Sequence, residues 1–444
     1  MSNPFELVQT GKTKNNDLIG AKLITAEDQI LLNAMNTKYS HVVIGGKHRI
    51  MTSKNCPING KKMSFESPSE FYNYFAHEPL MVGYNKGVAW FKWPGKEMYP
   101  EGVGYYPCEE KLPKGTFNTF QPFPCEPVKG DVSLILDHIH NVLCDGNKEA
   151  SDYFLQWLAH IFQKPMEKPT VAILMKSSEG TGKGTLYRLL ANMLGTNAHQ
   201  VNGGYQLVGR FNSILIGRLL VFGDEVDLSE KRVFDRVKGI ISEPTLSMEL
   251  KGIDAEPMPN YTRLIFTGNH DKMLAAGTRE RRFLVLEPST HRIDDSQYWQ
   301  KLNAVIDAHG ASAFLEYLSS IDLTSFSAYK APATTGLIEE KIANFKPSLA
   351  YLYAELQTEK GLGCTATIGA TALVDGFIHW AEINHISITP SAARSQIGKT
   401  MKDLGIKQEG RSGRGSGIIY KFPGQEIMKE KFAQSLGHQT NDIF

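Results

Sequence analysis

Cysteine is scarce: the five in 444 residues stand at 56, 108, 125, 144 and 364. Their number is odd and none falls in C-x-x-C spacing, which excludes a disulfide framework and a zinc ribbon and fits a reducing cytoplasm. No uninterrupted apolar run approaches the length of a membrane span, about 18 residues. The start, M-S-N-P-F-E-L-V-Q-T-G-K, lacks the charged-then-apolar pattern of a signal peptide, so a soluble chain with no membrane partner is expected. Excess charge is also missing, with a formal net charge of +1. No global basic field announces nucleic acid, and any contact with it must come from local patches. Aspartate is absent from residue 29 through 130. A two-metal primase or polymerase centre needs clustered acidic ligands, so that chemistry is not expected in this stretch. The length leaves room for about three domains, and 41% hydrophobic content supports buried cores.

What is present is most informative at 171–185, V-A-I-L-M-K-S-S-E-G-T-G-K-G-T, an apolar strand running into a glycine-rich turn. Such a turn aims backbone N–H groups at a phosphate, Lys183 adds a point charge, and the following helix presents its N-terminus. Gly180, Thr181, Gly182, Lys183, Gly184 and Thr185 are therefore the expected nucleotide-binding residues. The stretch departs from G-x-x-x-x-G-K-[ST] at both ends, with Ser177 for the first glycine and Gly184 where the magnesium-ligating hydroxyl should stand. Thr185 comes one residue late. The G-K-G-T arrangement also resembles nucleoside monophosphate kinases.

About forty residues on, R-L-L-V-F-G-D-E at 218–225 is an apolar strand ending in two carboxylates. In P-loop ATPases the first acid holds magnesium and the second polarises the attacking water, roles that Asp224 and Glu225 fit. A small-molecule kinase has no need of a water-activating glutamate, so the pair favours hydrolysis. A third strand, R-L-I-F-T-G-N at 263–269, ends at Asn269, suited to orienting the water. R-E-R-R-F-L-V-L at 279–286 then sets arginines before a fourth strand, where one of them would stabilise the transferring phosphoryl group.

This order of motifs, within about 110 residues, resembles the superfamily 3 helicases of the AAA+ class, and most of all the helicase half of phage and plasmid primase-helicases. G-T-F-N-T-F-Q-P-F at 115–123, D-H-I-H-N-V-L-C at 137–144, F-L-Q-W-L-A-H-I-F-Q-K-P at 154–165 and L-V-G-R-F-N at 207–212 are similar to segments flanking that ATPase. The resemblance implies ATP and Mg2+ as cofactors, with Thr185 and Asp224 at the metal. It also implies Arg282 as a finger acting on the neighbouring subunit's ATP, with Arg281 its close competitor, and hence a ring, most often a hexamer. It further implies 3′→5′ movement on single-stranded DNA and forked duplex, in a bacterial host cell, with the primase or polymerase on a separate chain. The stretch 242–259 reads as a β-hairpin turning near Gly252. By the same resemblance its Lys251 tracks DNA phosphates in the central channel, with Lys238 on the preceding helix a further phosphate contact.

The fold class expected is α/β: an AAA+ P-loop core at 169–290, a helical collar at 126–168, and an N-terminal β-rich α+β domain at 1–125. A helical extension and linker at 291–345, a winged helix at 346–424 and a tail at 425–444 complete the chain. Aromatics interleaved with lysines at 84–95 either stack bases or form a small core, and the core reading is the ordinary one. His138-Ile139-His140 falls at helical rather than strand spacing with Val132, Ile135 and Val142, so a His-hydrophobe-His nuclease is not expected. Helices 369–383 and 390–404, a strand at 405–408, a glycine-rich wing at 410–417 and a return strand at 418–422 make up the winged helix. Arg394, Lys399 and Lys402 line its second helix and Arg411 and Arg414 its wing, a set suited to DNA phosphates, with a protein-docking interface or a structural cap as the alternatives. The rivals to a replication helicase are a DNA-binding initiator or loader that hydrolyses ATP without processive unwinding, and a nucleotide kinase.

Overall fold

The structure is a computed structural model that describes residues 18–20, 22–56, 60–208, 215, 217–248, 256–269, 272–358, 361–362, 367–409 and 417–444. It is a mixed α/β chain built on a five-stranded sheet. Ala172–Lys176 (β1), Ala198–Asn202 (β2), Leu220–Asp224 (β3), Arg263–Gly268 (β4) and Phe283–Leu286 (β5) pair in parallel, in the spatial order β2-β3-β4-β1-β5. Runs such as A-I-L-M and L-V-F are apolar without alternation, as strands covered on both faces must be. Successive side chains then serve opposite cores. Ile173, Met175, Phe222 and Ile265 enter one, while Leu174, Val221, Leu264 and Phe266 enter the other.

The first face is covered by Lys148–Gln163 (α1), Lys183–Leu194 (α2) and the helices of 296–320. Asn147 starts α1 by accepting from the Ala150 N–H at 3.0 Å. Phe154, Trp157, Leu158 and Ile161 recur at helical spacing and bury its inner side. The second face is covered by Lys231–Ser242 (α3), whose Val233, Phe234, Val237, Ile240 and Ile241 are buried. The stretch 131–144 is helical as its spacing predicts, but it passes from α-helix at Ser133–Asp137 to π-helix at His138–Leu143. Its Ile135, Ile139 and Val142 join the same core as α1 and the sheet. The helices expected as a collar therefore share a core with the strands, and no break in packing falls at residue 168.

The hairpin arms Thr245–Met248 and Glu256–Pro259 pair antiparallel as predicted. The turn, with Lys251 and Gly252, lies outside the described residues. In the N-terminal part, Gly60–Glu66, Lys47–Cys56, Tyr39–Ile44 and Met98–Tyr99 form a sheet in that order, packed with helices Ala26–Asn36, Pro68–Tyr74 and Lys86–Lys92. Trp90 and Trp93 are buried there with Phe71 and Phe75. The Trp90 indole N–H donates to Asn36 Oδ1 at 2.8 Å. Both tryptophans of the aromatic cluster are thus core residues.

In the C-terminal part, Thr367–Gly369, Ile419–Lys421 and Lys407–Glu409 form an antiparallel sheet in that order beside helices Pro347–Gln357, Ala370–Ile383 and Pro390–Asp403. Phe377, Ile397, Met401 and Tyr420 share its core. The glycine-rich segment between the last two strands, with Arg411 and Arg414, lies outside the described residues. No described helix is long and apolar enough to cross a membrane.

One buried charge joins the sheet to α1. Arg263, at the first position of β4, is 1% exposed. It donates to the carbonyls of Lys164 at 2.9 Å, Glu167 at 2.6 Å, Pro165 at 3.3 Å and Tyr261 at 3.0 Å. Its Nη2 also stands 3.1 Å from His160 Nδ1, which must accept because a guanidinium has no lone pair to offer. The chain leaving α1 is thereby held at the amino edge of the sheet. Arg263→Met keeps the bulk and removes the donors, leaving carbonyls unpaired at about 1–3 kcal/mol each. The urea midpoint is expected to drop by the equivalent of about 3 kcal/mol or more, and an unchanged midpoint would show that the clamp holds nothing.

Candidate nucleotide site

The carboxyl ends of the parallel strands open into a cleft of about 670 Å³, lined by residues from the loops after β1, β3 and β4 and from the segment 293–303. Beyond β1 the chain turns through 177–182 and enters α2 at Lys183. Gly180 and Gly182 have φ of +80° and +87°, the left-handed region that glycine reaches without strain. A methyl group on Gly182 would stand 2.4 Å from the His138 ring, so a side chain there is excluded on two counts. Ser177, at the position where a glycine is usual, is absent from the positive-φ residues. Its N–H donates to the Gly268 carbonyl at 3.0 Å, and its hydroxyl stands 2.8 Å from that of buried Thr181. The serine therefore closes the loop upon itself instead of disrupting it.

Lys183 Nζ donates to the carbonyls of Ser177 at 2.8 Å and Ser178 at 3.1 Å. Burial lowers its pKa, opposed by the charges of Asp224, Glu179 and Glu225. Gly184 and Thr185 follow on the first turn of α2 and line the cleft. The orphan N–H groups and positive dipole end of that helix face the same space.

Asp224 ends β3. One carboxylate oxygen accepts from the Thr267 hydroxyl at 2.6 Å, the other from Gln200 Nε2 at 3.3 Å, so strands on both sides orient it. Glu225 follows with φ +51°, a left-handed conformation uncommon for any residue but glycine. The reversal is pinned on both sides, by Gly203 N–H to the Asp224 carbonyl at 2.8 Å and Val226 N–H to the Thr267 carbonyl at 3.2 Å. Glu225 is exposed and lines the cleft, as does Asn269 at the end of β4. The loop, both carboxylates and the amide named from the sequence are therefore in one place.

The basic residues lie elsewhere. Neither Arg281 nor Arg282 lines the cleft. Arg282 Nε donates to the Ser242 hydroxyl at 3.2 Å and its guanidinium stands 3.6 Å from buried Glu280, which also accepts from the backbone N–H groups of both arginines. Arg281 is exposed, with no side-chain partner among the described residues. Lys238 is paired to Asp235 at 2.6 Å and sits over the Phe234 ring. Arg394, Lys399 and Lys402 are exposed on the helix Pro390–Asp403.

Six lining residues were not singled out from the sequence, Glu179 and Gly268 among them. Thr267 was read only as part of a T-G-N strand, yet it aims Asp224. Ile293, Trp299 and Asn303 bring the segment after β5 into the cleft lining. They lie in the helical extension expected at 291–345, where Trp299 falls off the buried register of Tyr298 and Leu302.

Residues 175–282 match a family model described as a family of unknown function, DUF5906. A DNA primase-polymerase of Nitratiruptor phage NrS-1 is 26% identical over 211 residues, which are 46% of this chain and 29% of that protein. The chain thus spans less than a third of that relative. The apo structure of the NrS-1 C-terminal region, residues 305–718, superposes with a TM-score of 0.64 over 93% of this chain and 100% of that one, at 18% identity. Its A form gives 0.65 over 88% and 98%. At that identity the likeness concerns the fold.

His138 lies directly behind the loop, 3% exposed, with Nδ1 3.1 Å from the Tyr298 hydroxyl. Burial holds its pKa down to about 4, that of His41 to about 4 and that of His160 to about 3. Each ring binds its proton more readily in the unfolded chain, where the pKa is about 6.5. Stability present above that value is therefore lost as pH falls toward the folded values. Melting midpoints measured from pH 7 down to 4 are expected to drop, and His138→Gln to reduce the slope. A variant slope equal to that of the parent would mean that His138 is not buried as a neutral ring.

Proposed function

We propose that this chain is an ATPase of the AAA+, superfamily 3 type that works as a helicase in the DNA replication of a phage or related mobile element. The observation that carries the ATPase part is the meeting of Lys183, Asp224, Glu225 and Asn269 in one cleft beside a helix N-terminus. The loop N–H groups and Lys183 bind the β- and γ-phosphates. Glu225 takes a proton from water as its oxygen attacks the γ-phosphorus and the bond to the β–γ bridging oxygen breaks, releasing ADP and phosphate. Asn269 orients that water. Thr185 and Asp224 are the groups that would hold Mg2+ with the phosphates, and the ion's contribution when bound is to neutralise their charge.

The helicase part rests on the motif order and on the NrS-1 relative, whose name places that protein in DNA synthesis. The paired hairpin arms, the exposed cationic helix Pro390–Asp403 and the arginines outside the cleft are consistent with DNA contacts and a finger reaching a neighbouring subunit. The C-terminal sheet and helices are read as a winged helix. The relative's name favours a second reading, nucleotidyl transfer, but the match spans 29% of that protein and the cleft described here has the parts for phosphate hydrolysis.

Steady-state ATPase and strand separation on 3′- and 5′-tailed duplexes, with primer extension from dNTPs as the rival assay, test the proposal. Glu225→Gln is expected to retain ATP binding while turnover falls by roughly a hundredfold or more, whereas Lys183→Ala weakens binding itself. Near-normal turnover in Glu225→Gln removes the hydrolytic assignment. Mixing Lys183→Ala with Arg282→Ala, or with Arg281→Ala, is expected to restore some activity, because some mixed interfaces join an intact loop to an intact arginine. A monomer with full ATPase activity would overturn the shared-site arrangement.

A further inference from the structure

One wall of the cleft has the chemistry to hold a purine base. Trp299 is half-buried, and its indole N–H is fixed by donation to the Arg292 carbonyl at 2.7 Å. The His138 ring stands edge-on at 5.5 Å, and a methyl group on Gly182 would meet Trp299 Cη2 at 2.6 Å, so the indole lies directly against the phosphate loop. Ile293 approaches the same loop at Gly180, where an added methyl would stand 3.3 Å from Ile293 Cγ2. A flat aromatic surface and an aliphatic one thus border the loop in the cleft that also holds Asp224 and Glu225.

Asn303 supplies the polar group. Its Oδ1 accepts from Arg188 Nη2 at 2.6 Å, and Arg188 is anchored in turn to Asp307 at 3.3 Å. A guanidinium only donates, so Arg188 takes the Asn303 oxygen and leaves its NH2 without an acceptor among the described residues, on a side chain of the cleft lining. Asn303 lines the same cleft as Lys183.

We propose that Trp299 and Asn303 form the base subsite of this cleft, with a purine stacked on the indole and a ring nitrogen accepting from the Asn303 amide. The subsite rests on the ATPase reading above and names the substrate within it: a purine nucleoside triphosphate, preferred over pyrimidines because the larger ring covers more of Trp299 and offers N7 to the amide.

The test is isothermal titration of the full chain with ATP, UTP and inorganic tripolyphosphate in the presence of magnesium. The parent is expected to bind ATP at least tenfold more tightly than either UTP or tripolyphosphate. Trp299→Ala should lower ATP affinity by roughly ten- to a hundredfold, the usual weight of one base on an aromatic ring, and leave tripolyphosphate affinity unchanged, which also shows that the variant is folded. Trp299→Phe should keep most of the ATP affinity, and Asn303→Leu should narrow the gap between ATP and UTP. Equal affinity of the parent for all three compounds, or an unchanged ratio of ATP to tripolyphosphate in Trp299→Ala, overturns the base subsite while leaving the phosphate site intact. Failure of the parent to bind either ATP or tripolyphosphate overturns the ATPase reading, and the subsite with it.

Discussion

Parallel pairing is the constraint from which the cleft follows. Five strands pointing the same way cannot be joined by hairpins, so each must be left at its carboxyl edge and regained at its amino edge by a crossover. Every strand-to-helix turn is therefore delivered to one edge of the sheet. The order β2-β3-β4-β1-β5 then sets β4 between the strand that feeds the glycine-rich loop and the strand that ends in the carboxylates. Thr267 reaches Asp224 on one side of β4, and the Gly268 carbonyl receives the Ser177 N–H on the other. β4 thus gauges the distance between the phosphate loop and the acids, and a shift of its register would move both together.

Two buried ionic groups fix the sheet's neighbours, one at each edge. Arg263 gathers carbonyls at the end of α1 on the amino side. At the carboxyl side Glu340, fully buried in the helix Thr335–Ala343, accepts from the N–H groups of Met273 and Leu274 and pairs with Lys176 at 3.5 Å. An uncompensated charge in such surroundings would cost several kcal/mol. Both are instead satisfied largely by backbone groups, which no side-chain substitution elsewhere can remove. Lys176 is the last residue of β1 before the loop, and Met273 lies four residues past Asn269. One carboxylate therefore ties the helix leading to the C-terminal part to both walls of the cleft.

The parts of the site legible in the sequence are those whose chemistry sits on consecutive residues. S-E-G-T-G-K-G-T, V-F-G-D-E and F-T-G-N carry both their strand and their functional tip in one short string, and the predicted strand at 218–225 is found at 220–224. Thr267 was not legible as the orienting group because nothing local states that β4 lies beside β3. Trp299 and Asn303 were hidden for a related reason. Their helix has enough buried residues, Tyr298 and Leu302 among them, to be explained by packing, and only its seating over α2 turns its other side toward the loop. The core that the helices expected as a collar share with the sheet was not legible, because an amphipathic helix looks the same whether its apolar side meets another helix or a sheet.

The cleft joins a rigid half to a responsive one. Asp224 is held by neighbours on two strands, and the backbone of Glu225 is fixed in an unfavourable conformation between two hydrogen bonds. Strain of this kind costs of order 1–3 kcal/mol and persists only where the surroundings over-determine it. Lys183, by contrast, is held by two neutral carbonyls of its own loop. A polyphosphate would offer it charged acceptors, so that an ion pair replaces bonds from the ammonium to neutral oxygens. The exchange releases the carbonyls of Ser177 and Ser178, and Ser177 is bonded through its N–H to the end of β4. On the ATPase reading proposed above, phosphate binding would reach the acids through Gly268 and Thr267, adjacent residues on one strand.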